Sequence, residues 1–161
     1  MSQWLPPPLE HVKMNADAAV LNGTVGAVAV VCRDIHGVFL GALAITFKHI
    51  HNPTILEVLA VREALAVAED LYVQKIQVAS DCKIVVDDIN QKSGASYGAI
   101  IHEIIEYSSS FTSCTFVHEF RSSNVEAHNL AKHALKLGVG RHVWLGHPRN
   151  LSFVPVNAVT S

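Results

Sequence analysis

Residues 12–20, VKMNADAAV, decide how the chain is read. With the two-residue period of a strand, Val12, Met14, Ala16, Ala18 and Val20 share one face, and Lys13, Asn15, Asp17 and Ala19 share the other. Aspartate is a poor strand former, and burying its charge is costly without a partner or a metal. Asp17 in the middle of this segment therefore has to meet something.

Working outward, two further β-rich runs follow, VGAVAVVCRD from Val25 and GVFLGALAITF from Gly37, parted by the turn residues DIHG. Residues 12–47 read as an antiparallel three-strand meander. From Thr54 the period changes to that of a helix, TILEVLAVREALAVAEDL, with Thr54 and Glu57 in capping-box spacing. Then come a short strand, KIQVAS, a helix, DCKIVVDDINQ, a second helix, SYGAIIHEIIEYSSS, and a strand, CTFVHEF. A last helix, SSNVEAHNLAKHALKLG, has Ser123 and Glu126 as a second capping-box pair and Gly138 near its end. The order β-β-β-α-β-α-α-β-α predicts a mixed α/β fold, a five-stranded sheet flanked by helices. Three consecutive prolines in WLPPPLE make residues 1–10 an extended lead-in, residues 11–138 the domain, and residues 139–161 a C-terminal tail.

The bulk numbers agree with one globular unit: 161 residues, 50% hydrophobic and only 16% charged. A net charge of −2 argues against a strong, autonomous polyanion binder. Three scattered cysteines fit neither a disulfide framework nor a zinc knuckle, and point to an intracellular, reducing setting, cytoplasmic or nuclear. The longest apolar runs fall short of the ~20 residues that span a bilayer. The N-terminal residues lack the basic-then-apolar layout of a signal peptide.

Two more carboxylates stand in unexpected places. On a helical wheel Arg62, Glu63, Glu69 and Asp70 gather on one side, while Glu57 falls in the apolar stripe with Ala60, Val61, Ala64 and Ala68. Either Glu57 closes the capping box, or it reaches inward. Asp81 follows a strand and opens a helix, where it could cap that helix or serve a ligand at the carboxyl end of the sheet. If the KIQVAS strand lies beside the first strand, Asp17, Glu57 and Asp81 converge. Three anions together call for a hard divalent cation with oxygen ligands.

This ordered set of stretches resembles the type 1 ribonuclease H family, and more closely the reverse-transcriptase-like ribonuclease H domains of plants and plant retroelements. The segments that carry the resemblance are WLPPPLEHVKMNADAA, VCRDIHGVFLGA, EVLAVREAL, ASDCKIVVDDI and FRSSNVEAHNLAKHAL, with VWLGHP like that family's tail. The resemblance implies endonucleolytic cleavage of the RNA strand of an RNA–DNA hybrid, with two Mg²⁺ ions as cofactor and Mn²⁺ as a substitute. It makes Asp17, Glu57 and Asp81 metal-binding carboxylates, His118 a mobile histidine that helps protons or product leave, and Asn52 and Asn124 substrate-contacting residues. His128 stands at the fourth ligand position, where the best-studied members have a carboxylate; a neutral imidazole brings no negative charge. A rim histidine on a packed helix is the other reading of His128, and a solvated strand-end residue that of His118. His49, His51, His133, His142 and His147 read as surface or packing residues, for want of ligand spacing.

The expected partner is nucleic acid, with a monomeric protein and no membrane. The short segment NQKSGASYG, with Lys92 as its one cation, predicts modest, salt-sensitive affinity. Contacts to 2′-hydroxyls across the shallow minor groove would distinguish RNA. The alternative is a catalytically weak nucleic-acid-binding module derived from a retroelement. An unrelated α/β domain whose carboxylates are caps and surface groups is the third reading.

Overall fold

Strand-period alternation and a two-residue turn start the sheet. In the computed structural model, which describes residues 3–93 and 97–158, β1 (Val12–Leu21) turns at Asn22 and Gly23 into β2 (Val25–Arg33). Both turn residues have positive φ, 53° and 65°, the backbone that an Asn-Gly hairpin turn requires. β2 pairs antiparallel with β3 (Phe39–Phe47), completing the expected meander. After α1 (Pro53–Asp70), β4 (Lys75–Ser80) returns to the other side of β1 and pairs with it in parallel. The helices α2 (Lys83–Gln91) and α3 (Gly98–Ser108) lead to β5 (Ser113–His118), parallel to β4. A single 3₁₀ turn, Arg121–Ser123, precedes α4 (Val125–Ala134).

The sheet has six strands, not the expected five. Gly140–Leu145 forms β6, antiparallel to β3, and the order is β5-β4-β1-β2-β3-β6. Without β6 the long apolar β3 would be an open edge of unpaired amides and carbonyls. The segment beyond β6 also packs on the domain: Leu151 and Val154 are buried, and the Phe39 amide donates to the Val156 carbonyl at 2.7 Å. Arg33, fully buried, donates to the Gly37, Pro155 and Val156 carbonyls and to both oxygens of Glu126. At the other end, the lead-in buries Trp4, and the Gln3 amide donates to the Ser122 carbonyl.

Two cores result, one on each sheet face. Met14, Ala16, Val28, Val30 and Leu43 pack under α1 and α3, while Ala27, Ala29, Val31, Ala42 and Ala44 pack under α4. The small alanines of the second face admit α4 close to the sheet. Lys13, Asn15 and Asp17 lie on that same face and are all buried.

Neither expected capping box forms. Pro53 occupies the first turn of α1, so the cap is Asn52, whose Oδ1 accepts from the Ile55 amide at 3.0 Å, and Thr54 lies inside the helix. At α4 the N-cap position is Asn124, not Ser123, and the Glu126 carboxylate is spent on Arg33. Glu63, expected on the solvent side, is buried; Arg141 of β6 reaches it at 3.6 Å. Part of NQKSGASYG, residues 94–96, lies outside the described residues. No helix among them is long and apolar enough to cross a membrane.

Candidate metal centre

Strand register brings the first two carboxylates together. Ala16 of β1 lies opposite Ser80 of β4, so Asp17, within β1, and Asp81, just past the end of β4, come side by side, each one residue further on. Past Ser80 the chain turns away into α2, and the Ala18 amide donates instead to Glu57 Oε1 at 3.0 Å. Asn52 and Pro53 fix where α1 starts, which sets Glu57 on the turn that reaches this amide. Glu57 and Asp81 are therefore not caps: Cys82 is the N-cap residue of α2, and Asp81 lies just before it. Asp17, Glu57 and Asp81 each offer an oxygen within 4.8 Å of the others.

Each carboxylate has one oxygen held by the protein. Ala18 N–H holds Glu57 Oε1, His128 Nδ1 lies 3.0 Å from Asp17 Oδ2, and Arg121 Nε lies 2.5 Å from Asp81 Oδ2. The buried Asp17 Oδ1 and Glu57 Oε2 have no hydrogen-bond partner among the described residues. Burial raises the Glu57 carboxyl far above its usual range, and the nearby Asp17 and Asp81 charges push it further. Asp17 is raised as well, again first by burial, with the nearby Asp81 charge adding to it. Buried, unpaired and mutually repelling carboxylate oxygens are what a hard divalent cation relieves, so the donor set fits such an ion.

His128 is not one of the three converging groups, but it touches one of them. Its Nε2 lies 3.2 Å from Arg121 Nη1. Because arginine only donates, Nε2 accepts, and the ring proton is on Nδ1, directed at Asp17. His118 ends β5 opposite Ser80, at the same end of the sheet as Asp81, with its ring edge-on to Phe120 at 5.1 Å. Asn124 is buried rather than presented to solvent: Nδ2 donates to the Ala16 carbonyl at 2.9 Å, and Oδ1 accepts from Asn15 at 3.0 Å. It locks the start of α4 to the strand that carries Asp17. Asn52 is exposed at the head of α1, its oxygen engaged in the cap. Arg121 is the one group the sequence reading missed. It stands in FRSSN with no periodic pattern around it and pairs with an aspartate 40 residues away, so no local signal marked it.

The fold has known counterparts. The profile of the reverse-transcriptase-like family matches residues 15–134, more than half of the chain. No curated protein sequence matches. Among solved structures, ribonuclease H1 of the halophilic archaeon Halobacterium salinarum NRC-1 superposes with a TM-score of 0.74 at 20% identity, over 80% of this chain and 99% of that one. The N-terminal ribonuclease H domain of a Mycobacterium tuberculosis protein gives 0.69 at 18% identity, over 78% and 94%. LC11-RNase H1, solved with an RNA/DNA hybrid, gives 0.69 at 16% identity, over 78% and 96%. At such identities the likeness carries the fold. With the profile match it leads to one conclusion: the chain belongs to the reverse-transcriptase-like family and has the ribonuclease H fold.

Proposed function

We propose that this domain is a divalent-metal-dependent endoribonuclease that cuts the RNA strand of RNA–DNA hybrids. One observation carries the reading: two buried carboxylate oxygens, Asp17 Oδ1 and Glu57 Oε2, are without partners beside Asp81. A bound Mg²⁺ or Mn²⁺ pair would activate a water and neutralise the leaving oxygen of the phosphodiester. Asp17, Glu57 and Asp81 are the residues that would hold the ions. His128, the proposed fourth member, fixes Asp17 through Nδ1. His118, half-buried at the strand end, is suited to passing protons to or from the leaving product. Asn52 is an exposed contact for the nucleic acid, and Asn124 acts on substrate only through the position of α4. The working form is a monomer.

The test is cleavage of an end-labelled hybrid, with duplex DNA and duplex RNA as comparisons, in Mg²⁺, in Mn²⁺ and in chelator. The RNA strand of the hybrid alone should be cut, leaving 3′-hydroxyl and 5′-phosphate ends, and only with metal. Asp81→Asn should abolish the cut with the fold intact by circular dichroism. His118→Ala should slow turnover and leave Mn²⁺ binding unchanged. A hybrid bound but never cut would support the second reading, a catalytically weak binding module. That reading is favoured by the engagement of Asp17 and Asp81 with His128 and Arg121.

A further inference from the structure

Among the described residues, Arg121 is the only lysine or arginine paired with a carboxylate of the cluster. It sits on the 3₁₀ turn between β5 and α4, at the open side of the site, with its side chain 56% exposed. Arg33 offers the contrast: Nε, Nη1 and Nη2 all donate within the protein, and its side chain is 1% exposed. Arg121 uses Nε on Asp81 and Nη1 on His128, and Nη2 has no partner among the described residues. Its neighbour Phe120 is 76% exposed and lies against His118. A wet guanidinium with an unused donor, next to an exposed aromatic ring, is chemistry that receives the phosphate and the flat face of a nucleotide.

We propose that Arg121 is shared between two anions, Asp81 and a backbone phosphate of the bound nucleic acid, so that cation entry and strand binding reinforce each other. The inference rests on the proposed nuclease reading. Asp81 is the strongest anion Arg121 can reach inside the protein. A divalent cation at the cluster would repel the guanidinium and weaken its hold on Asp81. A phosphate at the rim would then be its better partner. In the reverse direction, a phosphate that draws Arg121 outward removes a positive charge from the cation's neighbourhood. Thermodynamic linkage makes the two effects equal in size. His128 is left holding Asp17, so one carboxylate stays fixed while the other changes partner.

The experiment compares wild type, Arg121→Gln and Arg121→Lys, each checked for folding by circular dichroism. Mn²⁺ uptake by the free protein is read by electron paramagnetic resonance, and hybrid affinity by fluorescence anisotropy with and without Ca²⁺. Removing one nearby positive charge should tighten Mn²⁺ binding of Arg121→Gln by about three- to tenfold in moderate salt. The same variant should bind the hybrid about three- to tenfold more weakly in Ca²⁺, the loss of one charge-assisted contact. The tightening of hybrid binding by Ca²⁺ should shrink with it, and Arg121→Lys should fall between. Weaker or unchanged Mn²⁺ binding by Arg121→Gln overturns the proposal, since a residue that merely orients Asp81 gives that result. Unchanged hybrid affinity overturns it too. Wild-type protein that takes up no Mn²⁺ overturns the nuclease reading as well, whereas Mn²⁺ uptake indifferent to Arg121 overturns only the sharing.

Discussion

Two buried polar clusters lie on the same face of β1, two residues apart, and are built on opposite principles. At Lys13 and Asn15 no buried side-chain atom is left without a partner among the described residues: Lys13 pairs with Glu119, and Asn15 donates to Asn124, which donates in turn to the Ala16 carbonyl. At Asp17, one turn of pleat further on, burial is as deep but an oxygen is left over. The first cluster ties β5 and α4 to β1. The second gathers carboxylates whose buried oxygens lack protein donors, so that burial and mutual repulsion favour their protonated forms. Depth of burial does not distinguish the two clusters; completeness of pairing does.

The comparison breaks most visibly at Asp17. Asp17→Asn should cost about 4 kcal/mol of transition-state stabilisation, roughly a thousandfold in cleavage rate. It should also leave the melting temperature unchanged or higher, because a buried carboxylate with an unpartnered oxygen beside two others disappears. A lower melting temperature would mean that Asp17 is a paired structural group like its neighbours. Lys13→Met should do the reverse, with its main effect on folding. It strands Glu119 in the interior, at a cost of about 3 kcal/mol by denaturant titration, and the double variant Lys13→Met/Glu119→Gln should recover most of it. Failure of the double variant to recover would show that the pair is not the source of the loss.

The smallest effect sharpens the contrast through pH. Glu57 and Asp17 have folded-state pKa values raised by burial and by each other, so between the ordinary carboxylate range and neutrality the native state holds protons that the unfolded chain has lost. Their contribution is therefore most favourable at low pH and declines as pH rises above about 4.5 toward the raised values. In chelator, stability should fall between pH 5 and pH 8. A divalent cation should flatten that slope, and Asp17→Asn should reduce it. A slope that is the same with and without the ion would count against cation binding at this cluster.

The sequence made the anions visible because each violates a pattern. Asp17 sets a poor strand former in the middle of a strand, and Glu57 breaks an apolar helical stripe. The convergence also followed, since a strand carrying Asp81 beside β1 is the natural course of a β-α-β crossover. What stayed hidden depends on long-range partners. Gly140–Leu145 is short and flanked by glycines, and only the open edge of β3 makes it a strand. Glu63 looked like a surface residue because Arg141, which approaches it, is on that unforeseen strand. Thr54 lost the cap to Asn52 because Pro53 is better suited to the first helical position. Arg121 had no pattern to violate.

The position of Trp4 has a spectroscopic consequence. The chain contains two tryptophans, Trp4 buried in the lead-in and Trp144 half-buried on β6. Neither lies in the helices or in strands β1 to β5. Intrinsic emission of this protein therefore reports the seating of its two ends, and a change in colour can precede any loss of the helical signal. The buried indole Nε1 of Trp4 has no acceptor among the described residues, so a water reaching it would register in the same spectrum.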